Sequence, residues 1–149
     1  MTNPNHRILF VCVHNSARSQ MAQAFLNKVG AGHFQAESAG LEPGKLNPHV
    51  VGVMKEIGLD ISANKTQSVF DLFRQGRQYD AVITVCSGAE TCPVFPGAVK
   101  RIGWSFDDPS GFSGTTDEVL KKTRQVRDEI EKKITEFVNE AGSVSYWIK

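Results

Sequence analysis

Apolar residues first cluster at 7–13, RILFVCV, a short run rich in β-branched side chains that predicts a buried strand. The period then changes. From Ser19 to Val29 the apolar positions Met21, Ala22, Phe25, Leu26 and Val29 recur at helical spacing, and Gly30 ends the pattern. Residues 34–40, FQAESAG, predict a second strand. Asn47-Pro48 joins a capping side chain to a first-turn proline, predicting a helix that carries Val50, Val51, Met54 and Ile57 up to Gly58. A short helix is predicted from Ser68 to Gln75, and strands at 81–86 (AVITVC) and 98–104 (AVKRIGW). Thr115 with Glu118 forms a capping box. The long helix beyond it, to about Asn139, sets Val119, Leu120, Thr123, Val126, Ile130, Ile134, Phe137 and Val138 on one face.

Strands alternating with helices predict an α/β fold, a parallel sheet covered on both faces with right-handed crossovers. Ligands of such sheets bind beyond the carboxyl ends of the strands. Cys12 and Cys86 both sit at carboxyl ends of predicted strands. Fold and thiols therefore point to the same crevice.

Composition narrows the class. The 149 residues fit one domain, spanning 1–149, and 40% hydrophobic content suffices for a core. A net charge of +1, with charges scattered, argues against nucleic acid as a partner. No apolar run approaches a membrane span, and MTNPNHR has no apolar signal core. A soluble cytoplasmic monomer without a membrane partner is the expectation. Three cysteines are an odd and sparse set, unlike a secreted disulfide framework. In a reducing compartment they point to burial, metal or chemistry.

The connection CVHNSARS is the most informative stretch. It runs from a strand into a helix N-terminus, where unpartnered N–H groups and the helix dipole welcome an oxyanion. A loop curled round the anion adds donors, so Val13, His14, Asn15, Ser16, Ala17, Arg18 and Ser19 form a candidate cradle. Asn15 tolerates the left-handed backbone that such a curl needs. Arg18 offers a planar fork matched to tetrahedral oxygens. Ser16 and Ser19 can donate to a sulfur anion, and the positive surroundings favour Cys12 as thiolate, the reactive form. A nucleophile beside an oxyanion cradle suits attack on phosphorus or a similar centre. Against this stands simple burial of a small residue, and for His14 a ring satisfied by main chain rather than a base.

SFDDPSG holds Asp107 and Asp108 before Pro109. Proline forces extended geometry on Asp108, whose carboxyl could serve as an acid over a bound oxyanion. A plain polar turn is equally compatible with the composition. Cys86 and Cys92 flank SGAET. They could be packing residues, metal ligands or a redox pair. Metal is the weakest reading, because there is no C-x2-C and no paired histidine spacing. Were 86–92 helical, six steps of about 1.5 Å would part the two Cα atoms by roughly 9 Å, beyond the about 7 Å a disulfide spans. Closing that bond would require the segment to unwind.

FVCVHNSARSQMAQAF, with ESAG and FDDP downstream, resembles the low-molecular-weight protein tyrosine phosphatase superfamily, over essentially the whole chain. Within it, TVCSGAETCP is similar to the redox segment of arsenate reductases. The resemblance implies a four-stranded parallel sheet flanked by helices on both faces, a flavodoxin-like three-layer sandwich. It implies Cys12 as nucleophile, Arg18 as oxyanion ligand, Asp108 as general acid, and Asn15, Ser19 and Ser38 as supports of the loop. It implies that Cys86 and Cys92 relay oxidation from Cys12 to thioredoxin or another thiol-disulfide reductant, with arsenate as substrate and no organic cofactor or catalytic metal. The Cys86–Cys92 interval is one residue shorter than the thioredoxin-coupled pattern. Family members also hold a monovalent cation through a glutamate of the first helix; Gln23 stands there, and none is expected. A phosphatase acting on phosphate monoesters is the first alternative, and a redox or anion sensor without turnover the second.

Overall fold

The computed structural model describes residues 5–86 and 95–148. Strands β1 (His6–Cys12), β2 (Phe34–Gly40), β3 (Tyr79–Thr84) and β4 (Ala98–Gly103) form one sheet in the order β2-β1-β3-β4. Every pairing is parallel. Parallel neighbours need crossovers, and these supply the helices. They are α1 (Arg18–Val29), α2 (Pro48–Lys55) and α3 (Val69–Arg74); α4 (Thr116–Ala141) and a short α5 (Val144–Trp147) follow the last strand.

Alternation along β1 separates two cores. Ile8, Phe10 and Cys12 join a large cluster with Met21, Phe25, Leu26, Val50, Met54, Ile130, Ile134 and Phe137. Leu9 and Val11 face the other way, into a smaller cluster with Val69, Leu72, Val82 and Phe95. Successive strand residues point to opposite faces, so a sheet covered on both sides reads as an unbroken apolar run. The same alternation directs Cys12 toward the α1 side.

The helix ends follow their capping residues. The Asn47 side chain accepts from the N–H groups of His49 and Val50, with Pro48 in the first turn. Thr115 accepts from Glu118 N–H, and its hydroxyl donates back to the Glu118 carboxylate. The buried residues of α4 recur every three or four positions from Val119 to Ala141. Arg127 lies among them, donating to Val53 O at 2.8 Å and to Glu56 at 3.0 Å. The C-terminal segment packs back on the domain. Trp147 donates to Ala141 O at 2.8 Å and stacks on His6 with ring centroids 4.1 Å apart. No helix among the described residues is long and apolar enough to cross a membrane.

Two of the boundaries that differ from the sequence pattern bear on the cysteines. β1 ends at Cys12, so Val13 already belongs to the loop. β3 ends at Thr84, where its partner β4 runs out at Gly103, leaving Cys86 two residues beyond the strand. The apolar run continues further than the pairing because Val85 and Cys86 are buried without ladder partners on both sides.

Candidate active site

Cys12 is a buried free thiol at the carboxyl end of β1. The chain beyond it curls back on itself through Asn15, whose φ of 55° is the one positive value at a non-glycine among the described residues. The segment after β2 holds this curl from outside. Leu41 N–H donates to Cys12 O at 3.2 Å, Glu42 N–H to Val13 O at 2.8 Å, Gly44 N–H to His14 O at 3.0 Å and Asn47 N–H to Ser16 O at 2.9 Å. With its carbonyls engaged outward, the loop turns N–H groups inward. No described group accepts from the main-chain N–H of His14, Ser16 or Ala17. Gly40 permits the approach, since a Cβ there would lie 2.8 Å from both Asn15 N and Val13 O.

Two groups address the sulfur. Asn15 N–H points at Cys12 Sγ from 3.2 Å, and Ser19 Oγ lies 2.9 Å from it. The Asn15 side chain in turn donates to Ser19 Oγ at 2.8 Å. Helix α1 starts at Arg18, so the positive end of its dipole also faces this place. Ser16 lines the crevice without a bond to the sulfur, contrary to the expectation that it would donate there.

Opposite the sulfur stand Arg18 and Asp108. Arg18 is 2% exposed, donates to Phe106 O at 3.1 Å, and places a guanidinium nitrogen 3.4 Å from Asp108 Oδ2. Asp108 is extended, as the following proline requires, and caps a 3-10 turn over Pro109–Gly111. Its other oxygen accepts Ser110 N–H at 2.9 Å, and Ser110 Oγ accepts from Asn47 at 3.2 Å. The turn is thereby tied to the same strip that holds the loop. Asp107 is exposed and makes no hydrogen bond among the described residues. Cys12, His14, Ser16, Ala17, Arg18 and Asp108 line one narrow crevice. A thiolate in such a place can attack the centre of a tetrahedral oxyanion while N–H groups and guanidinium hold its oxygens, and the carboxyl can protonate a departing oxygen.

A family model described as low molecular weight phosphotyrosine protein phosphatase matches residues 7–144. The chain belongs to that family. Within it, the chain is 41% identical over 134 residues to the arsenate reductase of Bacillus subtilis, covering 89% of this chain and 95% of that protein. A solved arsenate reductase in its phosphate-binding state superposes with a TM-score of 0.75 at 30% identity, over 90% of this chain and 97% of the other. A thioredoxin-dependent arsenate reductase from Corynebacterium glutamicum gives 0.59 at 28% identity, over 91% of this chain and 65% of that one. The four-stranded parallel sheet with flanking helices is thus the family's architecture.

Of the phosphatase-family loop positions, His14, Ser16, Ala17 and Arg18 line the crevice with Cys12, whereas Asn15 and Ser19 lie wholly buried behind it and Val13 packs against the larger core. The His14 ring bonds Glu42 O at 2.9 Å, the satisfied arrangement rather than that of a base. Ser38 makes no hydrogen bond to the loop among the described residues. Its hydroxyl donates to Gln23 Oε1, and its carbonyl accepts from Gln67 Nε2 at 2.8 Å. Its support is therefore indirect. Cys86 is buried at 6% exposure and disulfide-bonded. Cys92 lies outside the described residues.

The monovalent cation implied by the family does not fit this donor set. Gln23 carries no charge, and its oxygen already takes the Ser38 hydroxyl. Asn15 Oδ1 accepts from Gln67 N–H at 3.0 Å and Gln20 Nε2 at 3.3 Å. The oxygens that would turn toward a cation are used by N–H and O–H donors. Gln20, Gln67 and Gly40 were not marked by the sequence pattern. Polar Gln20 within the apolar stripe of α1, 1% exposed, was the available signal.

Proposed function

We propose that this protein reduces arsenate to arsenite. Arsenate docks on the loop N–H groups and Arg18. Cys12 thiolate attacks arsenic, an S–As bond forms, and an As–O bond breaks, its oxygen leaving as water with a proton from Asp108. Cys86 thiolate then attacks the Cys12 sulfur. An S–S bond forms, the S–As pair stays on arsenic, As(V) becomes As(III), and arsenite departs. Cys92 attacks Cys86, freeing Cys12, and a dithiol protein such as thioredoxin supplies the two electrons that reset the pair.

The observation that carries this reading is the contrast between two thiols at neighbouring strand ends: Cys12 free in an oxyanion crevice, Cys86 oxidised beside it. Val85 N–H bonds Val11 O at 2.9 Å, so the two cysteines leave adjacent strands one residue out of step. A free first cysteine with an oxidised second is the distribution that the last intramolecular step leaves. A phosphatase has no use for Cys86 oxidation, although the family shares the crevice.

The test is arsenate-dependent NADPH consumption with purified thioredoxin and its reductase, repeated with glutaredoxin and glutathione. Consumption is expected with thioredoxin. Cys92→Ser should hydrolyse an aryl phosphate as the parent does while losing multiple-turnover arsenate reduction. No consumption with any donor, alongside brisk aryl phosphate hydrolysis, would establish the phosphatase instead.

A further inference from the structure

The thiol of Cys12 depends on which way the Ser19 proton points, and nothing in the crevice itself decides that. A hydroxyl carries one proton and accepts through two lone pairs. Ser19 Oγ has two neighbours, Asn15 Nδ2 at 2.8 Å and Cys12 Sγ at 2.9 Å. If the amide offers its nitrogen, the hydroxyl accepts there and its proton is left for the sulfur. If the amide offered its oxygen, the proton would be drawn away and the sulfur would lose a donor.

What settles the amide lies outside the loop. Asn15 Oδ1 accepts Gln67 main-chain N–H at 3.0 Å, a donor that cannot reverse. Gln20 Nε2 donates to the same oxygen at 3.3 Å and to Asn15 O at 3.1 Å, the carbonyl of the residue with left-handed backbone. Gln20 is itself oriented. Its nitrogen also faces Lys65 O at 3.3 Å, and its oxygen accepts from Asn64 Nδ2 at 3.1 Å. Reversing it would set an oxygen against three oxygens.

We propose that Gln20, steered by the 64–67 segment, is a positioning residue that joins the Gln67 N–H in holding the Asn15 amide so that Ser19 donates to the Cys12 sulfur. It touches neither the crevice nor any reacting atom, acting through two intervening side chains. Among the described residues, the charged and titratable groups that line the crevice with the sulfur, Arg18, Asp108 and His14, make none of these bonds. Altering Gln20 therefore changes the donor to sulfur without changing the charges around it. The inference rests on Cys12 being the reactive thiol of the proposed reduction, but its test needs no arsenate.

The experiment is alkylation of Cys12 by iodoacetamide as a function of pH, read by peptide mass spectrometry, in the parent and in Gln20→Met, which keeps length and bulk but cannot donate. Loss of a donor to the anion should displace the profile toward alkaline pH, slowing alkylation about tenfold on its acid limb. A Gln20→Met profile that overlays the parent, with folding intact by circular dichroism, overturns the proposal. Should Gln20→Met not fold, Asn64→Ala replaces it. Asn64 is half-buried, and its loss frees the Gln20 amide to turn. A smaller alkaline displacement supports the proposal and an unmoved profile overturns it. Both outcomes stand apart from the reductase reading, which would fail through absent NADPH consumption whatever the alkylation profile.

Discussion

β1 and β3 are neighbours, run parallel and finish at the same edge, each delivering a buried cysteine. Their chemistry differs because the chain continues differently from each. After Cys12 it enters a tight curl pinned by four main-chain bonds from the 41–47 strip. After Thr84 it leaves the ladder, and Cys86 stands beyond the strand in a disulfide. Neighbouring strand ends thus bear a free thiol in a pinned loop and, beyond the ladder, a disulfide-bonded one.

Replacing each thiol in turn tests that division most sharply. Cys12→Ser should abolish both arsenate reduction and aryl phosphate hydrolysis, by about 10⁴-fold or more, as removal of a nucleophile does. Cys86→Ser should abolish reduction while leaving phosphate ester hydrolysis at the parent rate. Parallel assays on the same preparations decide it, and joint loss in Cys86→Ser would show that the two strand ends do not divide the labour. Next in size, Asp108→Asn should lower kcat on a phosphate monoester by about 10²–10⁴-fold, the usual contribution of an acid catalyst. Unchanged kcat would return Asp108 to its role as a turn cap alone.

Gly40→Ala tests how the curl is held. The new Cβ would meet two backbone atoms at 2.8 Å, neither at the end of a flexible side chain. A loss of about 1–3 kcal/mol is expected, with weakened phosphate binding. Thermal unfolding and phosphate titration check it, and an unmoved Tm with normal binding would mean that the loop does not depend on this approach.

The smallest effect is reserved for the opposite end of β3. Burial, and then the Glu37 carboxylate, push the Tyr79 hydroxyl up to about 12 from an ordinary 10.0. A group raised on folding binds its proton more tightly in the native state, so its contribution is intact below pH 10 and is lost toward pH 12. Tyr79→Phe should flatten the alkaline decline in stability over that window and leave both activities alone. An identical decline in the variant would assign it to other groups.

Much of this molecule is legible locally. The apolar run of β1, the spacing along α4, the Asn47-Pro48 start and the proline after Asp108 each act through residues a few positions apart, which is why they could be read in order. The curl itself was legible too, because Asn15 and Arg18 are unusual choices for a strand-to-helix connection. Its supports were not. Gln67 meets Asn15 across 52 positions and Gln20 meets Lys65 across 45, and no local period records such meetings. Gly40 reads as an ordinary strand terminus until another stretch of backbone is laid against it. Position alone ties Ser38 to the loop, but its hydroxyl donates to Gln23, and Gln67 bonds both the Ser38 carbonyl and the Asn15 side chain.

The strip at 41–47 holds the loop through main-chain bonds in which no anion takes part. On the proposed reading, the loop and Arg18 make a mould for four oxygens and negative charge. Phosphate and arsenate are near twins in both respects, so such a mould is blind to the difference. Abundant phosphate will occupy it as a competitor, and on the proposed reading the choice between the two is made afterwards, by whether the atom bonded to sulfur can accept two electrons and leave.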